Sequence, residues 1–355
     1  MDRICIVMMS AVGDAVHVLP VINAIKRNHP QSRITWVLQP GAASLVRGHP
    51  NVDEIILFDR SKGAGAFFEV REELRHREFD LLINLQVYFK AGIITAVSGA
   101  GRRLGFDRAR ARDGNWLFTT ERIPAHPVQH VQDQYFEFLK HLGILPEPVE
   151  WNLGPWAAER PWQEKFISQF NRPIASIVVA TSKPAKDWLP DRWAAVSDIL
   201  SEKYGLQPVL VGGTSERETA AAAEIMAKSK AQPFSALGSG LRNLVGILDA
   251  SALVLSPDTG PLHMTVALGR PVISLMGYTD PRRTGPYEKF QDLMIDAFHG
   301  RGEVGPITMR TKSDRMSRIS VADVQSRLEI WSDSYRPEVV TQPKLGHQGH
   351  KSDER

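Results

Sequence analysis

The sequence has almost no cysteine, no long apolar run and no signal-peptide pattern. Its 355 residues include one cysteine, Cys5, so no disulfide framework can form and a reducing compartment is expected. Cys5 lies in an apolar run, which favours a small buried hydrophobic side chain. No apolar run approaches the ~20 residues that span a bilayer, and the first ten residues lack the basic start and cleavage site of a signal peptide. We therefore expect a cytoplasmic protein.

Common motifs for nucleotides, metals and nucleophiles are also missing. There is no Walker lysine loop, no His-Glu-x-x-His pair and no Gly-x-Ser-x-Gly elbow. Gly63-Ala-Gly65 lacks the third glycine and the strand junction of a dinucleotide fingerprint, so a flexible loop is predicted there. No Asp-x-Asp pair occurs, which removes the usual carboxylate pair for a divalent ion on a nucleotide-sugar diphosphate. Chemistry without a metal ion is predicted.

Charge and composition narrow the class further. A net charge of +3 is too small to argue for nucleic acid as a partner. Six arginines between Arg102 and Arg122 nevertheless concentrate positive charge locally and predict contact with an anionic partner. A chain of this length with 43% hydrophobic and 23% charged residues is typical of a soluble protein with two domains.

Apolar strand-like runs alternate with amphipathic helical segments in two blocks, which predicts an α/β fold with parallel sheets. Prolines and tryptophans crowd between residues 145 and 162, where no single regular element can run, so we interpret this stretch as a linker. The predicted organisation is an N-terminal domain at residues 1–155, a C-terminal domain at residues 172–320, a helix at residues 321–335 and a disordered tail at residues 342–355.

The run from Ser256 to Gly269 joins an apolar strand to a short helix through a turn suited to an anion. Asp258 and Thr259 occupy N-cap positions, and Gly260 allows the backbone to approach a ligand closely. Free backbone N–H groups and the positive end of the helix dipole then face the bound group. Phosphate is the expected ligand.

Other strand ends carry polar side chains. Asp14 follows the first strand and is either a helix N-cap or a general base. The hydroxyls of Thr181 and Ser182 and the ammonium group of Lys186 suit a phosphate chain, with a solvated surface lysine as the alternative.

Two further segments follow strands of the second block. Glu216, preferred over Glu218, is a candidate for binding a ribose diol, and either carboxylate has the alternative of stabilising a helix start. The loop at residues 276–287 lines a ligand or is a plain connection. Ligands of such sheets bind outside the carboxyl ends of the strands, so a cleft between the domains is the expected site.

Four segments together resemble glycosyltransferase family 9, the ADP-heptose lipopolysaccharide heptosyltransferases. They are Ser10 to Asp14 with His17 and Pro20, the Lys186-x-Trp188 loop, Ser256 to Gly269, and Gly277 to Pro286. The heptosyltransferase I branch is the most similar, on three more segments: Asp80 to Gln86 with Lys90, Gly105 to Arg112, and His130 to Tyr135.

The resemblance implies a GT-B fold, in which two Rossmann-like doubly wound domains face each other across a cleft. It implies inverting transfer of heptose from ADP-heptose, without metal or cofactor, to Kdo-lipid A or heptosyl-Kdo-lipid A. The anionic glycolipid acceptor would lie at the inner face of the cytoplasmic membrane. A nucleotide-sugar epimerase or hydrolase of the same fold, a non-catalytic binding protein and a non-lipopolysaccharide acceptor are the alternatives.

The resemblance also implies residue roles. Asp14 is similar to the family's catalytic base, and Lys186 to the group that neutralises the diphosphate. The implied nucleotide-sugar contacts are Thr181, Ser182, Glu216, Asp258, Thr259, Gly260, His263, Gly277 and Thr279. The implied acceptor contacts are Arg60, Lys62, Arg108 and Arg110.

Overall fold

Two six-stranded sheets, parallel at every pairing, organise the chain in a computed structural model that describes residues 1–336. The first has the order β3-β2-β1-β4-β5-β6, with β1 Arg3–Val7, β2 Arg33–Leu38, β3 Glu54–Leu57, β4 Leu81–Asn84, β5 Arg103–Gly105 and β6 Glu121–Arg122. The second has the order β12-β11-β10-β7-β8-β9, with β7 Ile174–Val178, β8 Gln207–Val211, β9 Phe234–Ser235, β10 Leu253–Pro257, β11 Val272–Met276 and β12 Ile295–Asp296.

Counted from its own first strand, each sheet has the doubly wound order 3-2-1-4-5-6 of a Rossmann fold. The strand order reverses between β1 and β4 in the first sheet and between β7 and β10 in the second. Such switch points form crevices at the carboxyl ends of the strands. The predicted fold class, two Rossmann-like domains, is confirmed.

Helices connect the strands and cover both sheets. Those of the first half are α1 Val12–Asn28, α2 Pro40–Val46, α3 Gly65–Arg75, α4 Phe89–Val97 and α5 Val131–His141. Those of the second half are α6 Arg160–Ile167, α7 Pro190–Glu202, α8 Glu216–Lys228, α9 Leu241–Ala250, α10 Gly260–Ala267, α11 Pro281–Thr284 and α12 Val321–Ser334. No helix within residues 1–336 is long and apolar enough to cross a membrane.

Three strands of the second sheet are buried along their whole length. Every residue of β7, β10 and β11 is buried, as expected for parallel strands with helices on both faces. This burial explains why the sequence shows continuous apolar runs in place of an alternating pattern.

Some elements were not predicted. Helix α6 begins inside the predicted linker, because Pro161 occupies the first turn, where its missing N–H costs no hydrogen bond. Gly65 starts α3 and does not belong to a loop. The strands β6, β9 and β12 have two residues each, too few for a recognisable pattern. The exact domain boundaries stay a prediction, and the predicted tail at residues 342–355 lies outside the described residues.

Arg242, on α9 of the C-terminal domain, connects the two halves. Its guanidinium group binds both carboxylate oxygens of Glu159 at 2.6 Å and donates to the carbonyl oxygens of Leu45 at 2.8 Å and Leu153 at 3.0 Å. It also lies 3.7 Å from the centre of the Trp156 ring. One side chain therefore joins α9 to α2 and to the segment between the sheets.

Replacing Arg242 by alanine leaves the partly buried Glu159 carboxylate and two carbonyl groups without their donor. We expect the Arg242→Ala variant to lose about 3 kcal/mol of unfolding free energy, measured by urea denaturation. The control is Lys203→Ala, which breaks the exposed pair with Glu329 and is expected to change stability little. Equal effects of the two substitutions would contradict this role of Arg242.

Candidate active site

A cavity of about 610 Å³ lies between the two sheets at their carboxyl ends. Both domains line it, as the sequence predicted for a cleft site. Most of the predicted site residues meet there: Asp14, Thr181, Ser182, Lys186, Asp258, Thr259, Gly260, His263 and Thr279. Residues 1–336 contain no cluster of three or more histidine, cysteine or acidic side chains arranged to hold a metal ion.

The N-termini of α1 and α10 meet across the domain interface at two glycines. A Cβ atom on Gly13 would lie 2.9 Å from Cδ2 of His263, and one on Gly260 would lie 3.0 Å from Cγ1 of Val12. Such distances leave no room for a side chain at either position without movement of a neighbour. Because both residues are glycines, the start of α1 can lie directly against the turn at Thr259 and Gly260, the predicted phosphate site.

Asp258 holds Lys186 in the cavity wall. The Lys186 ammonium group donates to Oδ2 of Asp258 at 2.7 Å and to its carbonyl oxygen at 3.1 Å. The hydroxyls of Thr279 and Thr284 donate to the same carboxylate oxygen, Thr284 at 3.3 Å. Burial alone would raise the pKa of Asp258, but His263 and Lys186 hold it well below its usual value. Asp258 is therefore a charged anchor for Lys186.

The expected N-cap role of Asp258 is wrong. The N-cap residue of α10 is Thr259, and no side chain within the described residues 1–336 caps that helix start. The Asp258 carboxylate is turned away to Lys186 and the two threonine hydroxyls, which leaves the first amides of α10 without a side-chain partner. An uncapped helix start facing a cavity is suited to bind an anion.

Asp14 lies in the first turn of α1. Its Oδ2 accepts a hydrogen bond from the Ala11 amide at 2.9 Å, and its Oδ1 accepts one from the Tyr135 hydroxyl at 3.4 Å. Burial raises the pKa of Asp14, although the Ala11 amide and the positive charge of Arg283 oppose that effect. The predicted N-cap role of Asp14 is wrong, because Ala11 is the N-cap residue of α1 and Asp14 is the third helical residue, whose carboxylate binds the Ala11 amide. The carboxylate also lines the cavity, and its role as a general base stays a prediction.

Three histidines pack together beside the cavity. The His17 ring centre lies 4.4 Å from that of His263 and 5.8 Å from that of His130. Nδ1 of His17 is hydrogen-bonded to Oε1 of Gln132 at 3.0 Å. Burial lowers the pKa of His17 well below its usual value and that of His130 to about 4. Both rings are therefore neutral at pH 7 and pack beside the cavity without charge.

The nucleotide side of the cavity differs in detail from the prediction. Glu216 is exposed and does not line the cavity, whereas Glu218 does. The Glu218 carboxylate accepts hydrogen bonds from the Gly213 amide at 2.6 Å and from Ser215, the N-cap of α8. Gly277 lies behind the wall, where a Cβ atom would be 2.8 Å from the Met316 amide nitrogen. Neither Glu216 nor Gly277 is therefore positioned as the resemblance implied.

None of the four predicted acceptor residues lines the cavity. Arg110 binds both oxygens of Glu137 at 2.7 and 2.8 Å and also contacts Asp107, because these two carboxylates are largely buried and need a cation. Lys62 is paired with Glu69 at 2.8 Å. Arg60 and Arg108 are exposed. Arg110 is a structural residue, and an acceptor role for it does not fit.

Sequence reasoning missed Arg283 and Thr284 on α11, both of which line the cavity. The composition of the loop at residues 276–287 indicated a ligand-lining region. It did not show which of the adjacent residues Arg282 and Arg283 lines the cavity. Arg282 binds the carboxylate of Asp280 through Nε and Nη2, at 3.1 and 2.8 Å. Arg283 faces the cleft.

The close contact of the two helix starts predicts a cost for any side chain there. We expect Gly13→Ala to lower the unfolding free energy by about 1–3 kcal/mol, because the new methyl group overpacks against His263. Gly41→Ala is the matched control, since a Cβ atom at Gly41 has nothing within 4 Å. Thermal unfolding of the two variants gives the comparison, and no difference between them would contradict the contact.

Comparisons with known proteins agree with this geometry. A family model for glycosyltransferase family 9 (heptosyltransferase) matches residues 67–299. The lipopolysaccharide core heptosyltransferase OpsX of Haemophilus influenzae is 31% identical over 292 residues, 82% of this chain and 83% of that protein.

Solved structures share the fold. The glycosyl transferase family 9 structure from Veillonella parvula has a TM-score of 0.78 at 21% identity and covers 93% of this chain and 97% of that one. The E. coli heptosyltransferase WaaC with ADP has a TM-score of 0.71 at 23% identity, covering 94% and 99%. The chain belongs to glycosyltransferase family 9 and is a glycosyltransferase of the GT-B fold.

Proposed function

We propose that this enzyme transfers heptose from ADP-heptose to an inner-core lipopolysaccharide acceptor, with inversion and without a metal ion. One observation carries the proposal: the carboxylate of Asp14 and the uncapped turn at Thr259 and Gly260 line one cavity from opposite domains. The relatives support heptose and lipopolysaccharide as the substrate class. OpsX is named a lipopolysaccharide core heptosyltransferase, and a protein of E. coli K12 that is 27% identical is named lipopolysaccharide heptosyltransferase 1.

The C-terminal domain binds the donor. The amides of Thr259 and Gly260 bind the diphosphate at the positive end of α10. Lys186 has three N–H donors, and two of them are used by Asp258, so one is left for a phosphate oxygen. The Thr181 and Ser182 side of the cavity accommodates the nucleotide, with Glu218 in place of Glu216 at the ribose diol.

Asp14 acts as the general base from the N-terminal domain. It removes the proton of the acceptor hydroxyl as that oxygen attacks the anomeric carbon, through a transition state with oxocarbenium character. A raised pKa favours this role, because a base works best when its pKa approaches the working pH.

Inversion is supported by the other acids of the cavity wall. Asp258 and Glu218 are the only carboxylates besides Asp14 among its lining residues. The first is bound by Lys186 and two threonines and the second by the start of α8, so neither is free to form a covalent intermediate. A single displacement by the acceptor oxygen fits this arrangement.

Charge that develops on the departing ADP is met by protein groups. Lys186 and the two backbone amides are fixed before the substrate binds, and each well-placed donor contributes about 3–4 kcal/mol to stabilising the transition state. This set supplies the charge compensation that metal-dependent enzymes obtain from a divalent ion. A metal-independent reaction is the corresponding proposal.

The acceptor we propose is Kdo-lipid A or heptosyl-Kdo-lipid A at the inner face of the cytoplasmic membrane. The exposed side chains of Arg60 and Arg108 support an anionic surface as the partner, since basic residues are attracted to anionic lipids. Nucleic acid is not part of the proposal, because the net charge of +3 is small.

The test is incubation with ADP-heptose and purified Kdo-lipid A, followed by mass spectrometry of the lipid. We expect the lipid mass to increase by one heptose, in EDTA as well as in buffer. Consumption of ADP-heptose without acceptor would instead indicate the epimerase or hydrolase. Loss of transfer in EDTA, restored by a divalent ion, would contradict metal independence.

Asp14→Asn keeps the size of the side chain but removes the base. We expect kcat to fall at least about 100-fold, while the Kd for ADP stays unchanged because Asp14 acts on the acceptor side. Isothermal titration and steady-state kinetics provide the two values. Full activity of this variant would exclude Asp14 as the base.

The pH profile gives an independent test of Asp14. Deprotonated Asp14 is required, so kcat/KM falls as the pH drops through its pKa, above the usual aspartate value of about 3.9. Tyr135→Phe removes a hydrogen bond that lowers the pKa of Asp14, so the acid limb is expected to move to higher pH. An unchanged limb would mean that another group titrates.

Lys186→Ala removes a fixed cation beside the diphosphate. We expect weaker binding of ADP-heptose together with a fall in kcat of about 100-fold. Lys183→Ala is the matched control, because Lys183 is a neighbouring exposed lysine that does not line the cavity. Equal loss in the two variants would point to overall positive charge and not to a specific contact of Lys186.

A further inference from the structure

Arg283 lines the cavity, and its side chain has no hydrogen-bond or ion-pair partner in the part of the chain that the structure describes. Within residues 1–336, one lysine, Lys186, and one arginine, Arg283, line the cavity. Lys186 is paired with Asp258, whereas Arg283 makes no side-chain hydrogen bond or ion pair within residues 1–336, and its Nε atom is buried. A buried donor without a partner in the free protein is an indication of a ligand group that is missing.

The loop that carries Arg283 is fixed to the other domain. Nε2 of His130 is hydrogen-bonded to the carbonyl oxygen of Gly285 at 3.1 Å, and the Tyr287 hydroxyl donates to Asp133 at 2.7 Å. Asp133 lies on α5 and His130 is the N-cap of that helix. Two hydrogen bonds thus hold the loop of Arg283, which belongs to the C-terminal domain, against the start of α5 in the N-terminal domain.

The same helix positions the proposed base. Tyr135 on α5 contacts Asp14 at 3.4 Å, so α5 holds both the base and the loop of Arg283. Burial raises the pKa of Asp14 and of Tyr135, and the positive charge of Arg283 opposes both shifts because it lies close to the two groups. Arg283 therefore belongs to the acceptor side of the cavity, although its loop follows strand β11 of the C-terminal domain.

We infer that Arg283 binds the carboxylate of the acceptor sugar next to the attacking hydroxyl, so that both domains select the acceptor. The inference rests on the proposed function, in which the acceptor ends in Kdo, a sugar acid, or in heptosyl-Kdo. A guanidinium group matches a carboxylate through two parallel hydrogen bonds, which fixes orientation as well as position. An uncharged acceptor leaves the guanidinium without its partner and is bound more weakly for that reason.

The experiment compares Arg283→Gln with the wild-type enzyme and with Arg301→Gln, a control at an exposed arginine of the same domain. Three acceptors are used: Kdo-lipid A, its carboxyl methyl ester, and a form without the lipid A phosphates. Binding to the ADP complex is measured by titration and transfer by steady-state kinetics. Binding of ADP itself and thermal unfolding verify that the variant is folded.

We expect Arg283→Gln to raise the Kd and the KM for Kdo-lipid A at least tenfold and to leave the Kd for ADP unchanged. The wild type and the variant should bind the methyl ester equally weakly, and removal of the phosphates should not alter the effect of the substitution. Arg283→Lys should retain part of the affinity. The acid limb of kcat/KM should also move to higher pH in Arg283→Gln, because a charge that lowers the pKa of Asp14 is lost.

Three results would overturn the inference. The Arg283→Gln substitution could change the Kd for ADP and leave the Kd for the acceptor unchanged, or its effect could disappear when the lipid A phosphates are removed. The wild type could also bind the methyl ester as tightly as Kdo-lipid A. A wild-type enzyme that binds Kdo-lipid A through its carboxylate and Arg283 but transfers no heptose would support the inference and disprove the proposed function. If Arg283→Gln does not fold, Arg283→Lys and the methyl ester with the wild type still decide the question.

Discussion

The close approach of two helix N-termini determines the geometry of the site. α1 and α10 come from different domains, and each begins beside a switch point of its own sheet. They meet only because Gly13 and Gly260 have no side chains at the contact. Helix starts normally repel each other, since both carry partial positive charge. An anionic ligand would offset that repulsion, so the contact between the helix starts favours the proposed binding of a diphosphate there.

The pair formed by Asp258 and Lys186 sets the charge beside that contact. A buried carboxylate next to a phosphate site appears unfavourable, but Asp258 is neutralised by Lys186 and bound by two hydroxyls. In the proposed mechanism, Asp258 holds the ammonium group in one position before substrate binds, which reduces the reorganisation needed during reaction. The side chain of Asp258 is consequently not available to cap α10, and the amides of that helix remain open to the ligand.

Local patterns carried most of what the sequence predicted. Continuous apolar runs identified the buried strands, and polar residues directly after them identified Asp14, Lys186 and the turn at Thr259, since carboxyl ends of parallel strands share one edge. The predictions were wrong where contacts between residues far apart in the sequence, or the orientation of a helix, determine the position of a side chain. Arg110 is bound by Glu137 on another element, and only the orientation of the α8 start separates Glu218 from Glu216. The family assignment is confirmed, whereas the roles of individual residues stay predictions.

Helix α5 contacts groups of both domains at the site. Through His130 and Asp133 it holds the loop at residues 281–287, and through Tyr135 it contacts Asp14. Burial lowers the pKa of His17 and of His130, so these two rings are neutral at pH 7 and pack without mutual repulsion. Asp14, the proposed base, therefore meets the turn at Thr259 and Arg283 only when the two domains are in contact. In the proposed mechanism, separation of the domains would take Asp14 away from the leaving group, so the proposed reaction needs this contact.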